Sequence, residues 1–389
     1  MNASLKEHKS YNKTTNLLTL FFLSALFLTI RTIFLLSAFY FISNHEELYN
    51  GTLAHDFLQN PSLFIKNPNL AFCYQYMPFA GGTFIVSILA IPFFALLGNS
   101  VFSLKLLSIL ISLATFVVFY LLLEKFFSHK TALIFGILLA FSAPYPILTS
   151  LILWGNHNES VFFTALLFYL ILSYNEYNSD KKRYLILSGL VAGFGFYFDY
   201  IFITTILSVI IFLLLSKRNF FFKKDVLYFS ISFICGFFLW FYTAFLTNFE
   251  NLRIHKPGIA ADFSIFYLIK KFLKLIIFDL PSSFWLKEIR LMGINILPSI
   301  YYLIFLFSFI FLLTSLFKEY INKKKLPNYF LFLLYIILFS LVFTFSKFST
   351  GKAIEGINLF VFPFKIYRDR FFITLFPFII ITVSILLSK

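Results

Sequence analysis

The sequence predicts an all-α polytopic membrane protein with about ten transmembrane helices. Of its 389 residues, 60% are hydrophobic and 13% are charged, whereas a soluble domain is nearer half apolar and a quarter charged. Many apolar runs approach the roughly 20 residues that a helix needs to cross a bilayer. The net charge of +15 is divided among short basic groups between these runs. That pattern is typical of topogenic loops and of contact with membrane lipids, and it argues against nucleic acid as a partner.

The first predicted span, residues 17–42, fixes the expected orientation. Lysines precede it at positions 6, 9 and 13, which predicts a cytoplasmic N-terminus. The run is too long for a signal-peptide core, so we expect a retained helix of an integral protein in a bacterial inner (plasma) membrane. Arg31 lies within the span and must pair, snorkel or face the protein interior.

The next apolar segment, residues 83–97, either crosses the membrane or lies flat on it, because it is short and contains Pro92. If it lies flat, the later basic loops share the cytoplasmic side with the N-terminus; if it crosses, they all lie outside. The positive-inside rule favours the flat helix. We therefore expect a first external loop, 43–100, with two juxtamembrane helices. The remaining expected spans are 101–123, 131–153, 161–174, 184–198, 201–216, 226–247, 296–317, 328–346 and 371–388.

A single transmembrane domain over 1–389 is expected, with a second external loop at 248–295. Within that loop, residues 263–277 place three lysines among apolar side chains and predict an amphipathic helix on the lipid head groups. The short segments 184–198 and 201–216 meet at Asp199, which is either an external ligand or a turn residue. Small residues before that turn predict close helix packing. They are Gly189, Gly193 and Gly195.

The polar stretch 43–58 is the clearest candidate for a site, because it gathers acids and histidines that are rare elsewhere in the chain. Its acidic pair is Glu46 and Glu47. The expected topology brings the turn 154–160, with Glu159, to the same external side. The alternative is a solvated cap of the kind that interfacial loops commonly form.

This arrangement suits general-base catalysis, metal binding or both. A carboxylate within hydrogen-bond reach of a hydroxyl can take its proton as a bond forms. Oxygen ligands from two loops, with Glu46 and Glu159 as the candidates, can hold Mg²⁺ or Mn²⁺, and metal dependence stays open. Arg368 and Arg370 precede the last span and suit a bidentate grip on phosphate, or else they anchor the interface.

In order and topology, these features resemble the GT-C glycosyltransferases, in particular the protein O-mannosyltransferase and aminoarabinose transferase group (family 39-like). Glu46-Glu47 with Tyr49 is similar to the Asp-Glu pair that opens the first external loop of that group. Glu stands where the usual catalytic residue is Asp, which leaves activity open. Further similar features are Tyr76-Met77-Pro78-Phe79, residues 94–100 followed by Lys105, Glu159, residues 189–200, and Arg370-Phe371 with Pro377.

The resemblance implies an inverting transfer of a sugar from a polyprenyl-phosphate donor to a lipid, glycan or protein acceptor outside the membrane. It implies that Glu46 is the base and that Glu159 and Glu47 support it or hold a metal. It implies that Arg370 or Arg368 binds the donor phosphate.

Substrate contacts are expected from the neighbouring polar residues. His157 and Asn156 are candidates for contact with sugar hydroxyls, although helix capping explains Asn156 equally simply. Gln75 and Tyr76 are candidates for the border of the acceptor site. The alternative functions are a transporter or flippase and an O-antigen polymerase-like protein. Transporters usually place ionisable residues near the midplane between internal repeats, and the clustering at one surface favours the transferase.

Overall fold

A computed structural model gives the fold of the chain. It describes residues 2–38, 44–62, 81–176, 181–217, 220, 224–246, 248–249, 264–276, 280–282, 290–291, 294–323, 326–346, 353–359, 362–367 and 370–389.

Helices dominate the described chain. They are α1 (Asn2–Ala38), α2 (His45–Gln59), α3 (Gly82–Leu97), α4 (Val101–Phe126), α5 (His129–Ala140), α6 (Pro144–Thr149), α7 (His157–Glu176), α8 (Lys181–Phe198), α9 (Ile203–Ser216), α10 (Lys224–Gly236), α11 (Phe238–Leu246), α12 (Ile265–Lys274), α13 (Leu280–Ser282), α14 (Ile296–Lys323), α15 (Phe330–Phe345) and α16 (Phe376–Ser388). Short 3₁₀ helices, Tyr200–Phe202 and Arg370–Thr374, precede α9 and α16.

Two antiparallel hairpins, which the sequence did not predict, lie in the loops before α14 and before the last helix. Strands β1 (Arg290–Leu291) and β2 (Ile294–Asn295) form the first, and β3 (Ala353–Leu359) and β4 (Phe362–Tyr367) form the second. In these hairpins Arg290 pairs with Asn295 and Ala353 with Tyr367.

The described residues include four helical stretches that are long and apolar enough to cross a membrane: Asn16–Ser37, Val101–Phe126, Ser299–Asn322 and Phe371–Ser388. Helices α10 and α11 form a fifth if this pair, bent by 43°, counts as one span. The predicted all-α membrane class is confirmed. Several other predicted spans are shorter helices, so ten crossings and the flat placement of α3 stay predictions.

The expected span 131–153 is not one continuous helix, because the structure breaks it in the middle. Helix α5 ends at Ala140, and Pro144 begins the short helix α6. Proline cannot donate a backbone hydrogen bond inside a helix, but its fixed φ suits the first helical position. Residues 150–156, called the connector below, then run without regular structure to α7.

Phenylalanine, which is abundant in the sequence, packs the core. The ring of Phe378 in α16 lies 4.4 Å from that of Tyr335 in α15, measured between centroids. It also lies 5.4 Å from Phe119 in α4, 5.7 Å from Phe168 in α7 and 6.0 Å from Phe332 in α15. Offset and edge-on ring pairs at these separations are favourable. This cluster therefore joins four of the helices.

The close packing predicted at Gly189 and Gly193 is confirmed. A β-carbon added to Gly189 would lie 2.4 Å from the carbonyl oxygen of Phe229, and one added to Gly193 would lie 2.1 Å from that of Phe233. Both carbonyls belong to α10. Only glycine permits α8 to approach the backbone of α10 this closely.

Helix α12 forms within the predicted amphipathic segment, but one of its lysines turns inward. Ile265 and Phe266 are largely exposed, whereas Lys271 is buried. The ammonium of Lys271 donates to the carbonyl oxygen of Ser346, 2.6 Å away, at the C-terminal end of α15. A cation there compensates the negative end of the helix dipole.

Arg31 faces the protein interior, which was one of its expected environments. Its Nη1 donates to the carbonyl oxygen of Ala140 at 2.7 Å, and its Nη2 donates to that of Leu139 at 3.1 Å. The guanidinium also lies 3.8 Å from the ring centroid of Phe27. The last carbonyls of a helix lack intrahelical partners, so Arg31 satisfies the end of α5 and ties it to α1.

Replacing Arg31 by Met should lower the free energy of unfolding by about 2–4 kcal/mol, because it leaves buried carbonyls of α5 without donors. Arg31→Lys should lose less, since an ammonium can still reach one carbonyl. Unfolding in detergent measures the effect, with Arg183→Met at an exposed position as the control. Equal losses for Arg31→Met and the control would contradict the capping role.

Candidate functional site

The acidic pair opens helix α2. Asn44 caps the helix, and its Oδ1 accepts a hydrogen bond of 2.9 Å from the amide of Glu46. Glu46 and Glu47 follow in the first turn, where the helix dipole favours negative charge. Both side chains are buried. One expectation was a solvated cap, and the burial of both carboxylates does not match it.

Glu47 forms a buried ion pair with Lys105 of α4. The Lys105 ammonium lies 2.5 Å from Oε2 of Glu47, and both side chains are completely buried. Burial raises the pKa of Glu47, against the opposing effects of Lys105 and of the Leu153 amide. That amide donates to Oε1 of Glu47 at 3.0 Å, so both carboxylate oxygens are engaged.

Asn50 completes the contact of α2 with the connector. Its Nδ2 donates to the carbonyl oxygen of Leu153 at 2.8 Å. Residues three apart lie on the same face of a helix, so the side chains of Glu47 and Asn50 both reach Leu153. Glu47 accepts from the amide of Leu153, and Asn50 donates to its carbonyl oxygen. The two side chains replace the backbone partners that Leu153 would have in a helix or sheet.

Side chains of α4 satisfy the rest of the connector backbone. The hydroxyl of Ser108 lies 3.0 Å from the carbonyl oxygens of Ser150 and of Ile152, and Ser112 donates to Ser150 at 3.1 Å. Gly155 has a positive φ of 73° and packs against Gly82 of α3. A β-carbon on Gly82 would lie 2.0 Å from the carbonyl oxygen of Gly155, so the two segments touch through their backbones.

Glu159 folds back onto the same connector. Its Oε1 accepts from the amide of Trp154 at 2.9 Å, and its Oε2 accepts from the amide of Asn156 at 3.3 Å. Burial raises the pKa of Glu159 to about 8, although these backbone donors act in the opposite direction. Asn156 in turn accepts from the amide of His157 at 2.7 Å, which is the capping contact considered for it.

His157 pairs with an acid from another helix. Its Nδ1 lies 3.0 Å from Oδ2 of Asp199, and both side chains are buried. The other oxygen of Asp199 accepts from the amide of Ile201 at 3.1 Å, so Asp199 also caps the turn into the 3₁₀ helix. The imidazole packs on Phe371, with 4.6 Å between ring centroids.

The other predicted site residues lie partly outside the described chain. Arg370 begins the 3₁₀ helix before α16, but its side chain is not among those described. Gln75, Tyr76 and Arg368 lie outside the described residues altogether.

The carboxylates that were candidates for a metal site are arranged for other contacts. Within the described ranges, no group of three or more His, Cys, Asp and Glu side chains is placed to hold a metal ion. Glu159 directs both oxygens to backbone amides. A metal held by Glu46 and Glu159 therefore stays a prediction, and it has no step in the proposed reaction.

Sequence reasoning did not identify the partners of these acids. The sequence marks Lys105 only as the basic residue of its span. It leaves two interpretations open for Asp199, an external ligand or a turn residue. A lysine inside an apolar span is itself a signal that a buried acid faces it. Which acid it is depends on tertiary contacts, since Glu47 lies 58 positions away.

A small cleft, in which a water-sized sphere can reach about 10 Å³, adjoins the 3₁₀ helix that Arg370 begins. Its walls are mainly apolar and come from α6, α13, the 3₁₀ helix and α16. They consist of Tyr145, Pro146, Leu280, Phe372, Ile373, Phe376 and Ile379.

Comparisons with known proteins agree with this architecture. A sequence model of the family described as dolichyl-phosphate-mannose-protein mannosyltransferase matches residues 83–246. ArnT from Cupriavidus metallidurans, solved in the apo state, is similar in structure with a TM-score of 0.58 at 11% identity, over 95% of this chain and 59% of that one. The chain has a GT-C-like fold. It spans 59% of the length of that ArnT.

Two solved oligosaccharyltransferase structures align less closely with the chain. The Archaeoglobus fulgidus oligosaccharyltransferase, in complex with Zn and sulfate, aligns with a TM-score of 0.49 at 12% identity, over 95% of this chain and 48% of that one. The oligosaccharyltransferase AglB from the same organism, in complex with an inhibitory peptide and a dolichol-phosphate, gives 0.46 at 10% identity, over 96% and 50%. Curated protein sequences gave no match.

The GT-C-like fold confirms the resemblance to the protein O-mannosyltransferase and aminoarabinose transferase group. The family match covers α3 to α11, including the connector and the His157–Asp199 pair.

Glu47→Gln should lower the free energy of unfolding by about 3–5 kcal/mol, because it leaves Lys105 charged and buried without its acid. The double variant Glu47→Gln/Lys105→Met should recover much of this loss, since neither charge remains. Denaturation of Glu47→Gln, Lys105→Met and the double variant in detergent gives the coupling energy. Additive effects of the two substitutions would show that the pair does not act as a unit.

Deprotonation of buried Glu159 should lower the free energy of unfolding as pH rises from about 4.5 towards 8. Its pKa is raised in the folded protein, so the stability that this group contributes is complete below the unfolded value of 4.5 and is lost as pH approaches 8. Each pKa unit corresponds to about 1.4 kcal/mol.

Thermal unfolding midpoints across this pH range provide the measurement. Glu159→Gln should show a smaller decline than the wild type, whereas Glu176→Gln, at the exposed C-terminal end of the same helix, should follow the wild type. Parallel pH profiles for wild type and Glu159→Gln would rule out this titration.

Proposed function

We propose that the chain is a membrane glycosyltransferase that moves a sugar from a polyprenyl-phosphate donor to a lipid, glycan or protein acceptor. The observation that carries the proposal is the GT-C-like fold, found over nearly the whole chain and supported by the family match at 83–246. The reaction takes place on the external face of the bacterial plasma membrane, by the positive-inside argument.

Glu46 is the proposed general base. Its carboxylate is buried in the first turn of α2, at the position that matches the acidic pair of the resembled family. Glu47 and Glu159 each use both oxygens to hold Lys105 or the connector backbone. We assign these two acids the task of fixing the geometry around the base.

The proposed reaction inverts the anomeric carbon. The acceptor hydroxyl oxygen attacks C1 of the sugar as the bond between C1 and the phosphate oxygen breaks. Glu46 takes the proton of that hydroxyl, and the polyprenyl phosphate leaves with the bonding electrons. Proton transfer to a positioned carboxylate typically contributes 10²–10⁴-fold to a rate.

We place the donor with its phosphate at Arg370, supported by Arg368. Phe372 and Ile373 line the cleft and belong to the same 3₁₀ helix that Arg370 begins. Apolar residues therefore follow the proposed phosphate ligand along the chain, and the first isoprenoid units of the donor pack against them. Gln75 and Tyr76 remain candidates for the acceptor side, and Asn156 for a sugar contact.

Glu46→Gln should reduce sugar transfer from a polyprenyl-phosphate donor at least a hundredfold, because an amide cannot take the proton of the acceptor. Incorporation of radiolabelled sugar in membranes expressing each variant measures this. Glu124→Gln makes the same change at the far end of α4 and should leave transfer unchanged.

Two outcomes would contradict the proposal. Normal transfer by Glu46→Gln would remove the base role from this residue. No transfer by the wild type from any polyprenyl-phosphate sugar would argue against the transferase and in favour of a transporter or polymerase.

A further inference from the structure

Asp199 is completely buried where α8 ends, although the proposed transfer assigns it no task. One oxygen accepts from the amide of Ile201 at 3.1 Å, and the other lies 3.0 Å from Nδ1 of His157. A buried acid on one ring nitrogen fixes the orientation of an imidazole. Nε2 of His157 has no hydrogen-bond partner among the described residues, so the polar contact that orients the ring is the one through Nδ1.

The oriented ring packs on the segment that carries the proposed phosphate ligand. The centroids of His157 and Phe371 are 4.6 Å apart, with 54° between the ring planes. Phe371 follows Arg370 directly in the 3₁₀ helix Arg370–Thr374. A chain of contacts therefore runs from Asp199 through His157 to the residue beside Arg370.

Helix α15 packs on the same 3₁₀ helix, with 4.8 Å between the ring centroids of Phe343 and Phe372. The hydroxyl of Thr374 donates to the carbonyl oxygen of Phe371 at 2.8 Å, within the 3₁₀ helix itself. A five-residue 3₁₀ helix has little stability of its own. Its position therefore depends on the helices that pack on it at Phe371 and at Phe372.

We propose that Asp199 and His157 are a positioning pair that holds the 3₁₀ helix Arg370–Thr374 in place for donor binding. Neither residue touches the reacting atoms. The pair acts through Phe371, which follows the proposed phosphate ligand Arg370 in the chain. This assignment rests on the proposed function for its ligand, and it gives His157 a role other than contact with sugar hydroxyls.

Hydrogen–deuterium exchange tests the positioning step without any ligand. Asp199→Asn weakens the link to the imidazole, and His157→Gln removes the ring that packs on Phe371. Both variants should raise amide exchange in residues 371–375 at least fivefold. The control is Asp225→Asn, which makes the same change at the acid bound by Tyr174, near the opposite end of α7, with 2.7 Å between the hydroxyl and the carboxylate. Its exchange in 371–375 should match the wild type.

Binding of decaprenyl phosphate to protein in nanodiscs tests the functional step. Asp199→Asn and His157→Gln should raise the Kd about tenfold, while Asp225→Asn should not. If the wild type binds and Asp199→Asn binds equally well, the pair does not position the donor site, and the proposal is overturned. Unchanged exchange in 371–375 for both variants overturns it as well.

The two measurements separate this proposal from the proposed function. A wild type that binds no decaprenyl phosphate would refute the donor class, and with it the functional half of the positioning proposal. The exchange data would still decide whether the pair holds the 3₁₀ helix. Should Asp199→Asn fail to fold, His157→Gln alone decides both measurements, because Asp199 then keeps its cap on Ile201.

Discussion

The backbone of the connector, residues 150–156, imposes the constraint on which much of the described structure depends. Its first amides, up to Ile152, still donate to carbonyls of α6, and beyond them the backbone runs through the interior without helical partners, so its polar groups need side-chain or local ones. Glu47 and Asn50 of α2 hold Leu153, serines of α4 hold the carbonyls before it, and Glu159 holds the amides after it. Three helices are therefore fixed to one another through a segment that itself forms none.

Most of the buried charged side chains in the described part of the chain have structural contacts. Arg31 closes the end of α5, Lys105 neutralises Glu47, and Lys271 closes the end of α15. In each case a charge taken out of water meets a carboxylate or the end of a helix, which offsets the cost of its burial. Two of the three acids predicted to be catalytic thus have structural contacts on both oxygens. The proposal places the base at Glu46 because that residue matches the acidic pair of the resembled family, and it assigns Glu47 and Glu159 the task of holding the surrounding backbone.

The two halves of the proposed site come from opposite ends of the sequence. Helix α2 and the connector supply the base side, and the 3₁₀ helix Arg370–Thr374 with the apolar cleft supplies the donor side. Helix α7 joins them, because Glu159 in its first turn holds the connector while His157 packs on Phe371. Rigid elements at both sides are what precise placement of a lipid phosphate and a sugar requires.

The sequence by itself determined the membrane class, the amphipathic helix at α12, the close packing at Gly189 and Gly193, and the resemblance to GT-C glycosyltransferases. These follow from hydropathy, residue size and motif order, which are local properties. It did not determine that 131–153 breaks at Pro144, because apolar side chains continue through the break. It also did not pair Glu47 with Lys105 or His157 with Asp199. Such pairs join residues that are 58 and 42 positions apart, and only the packing of whole helices decides which charges meet.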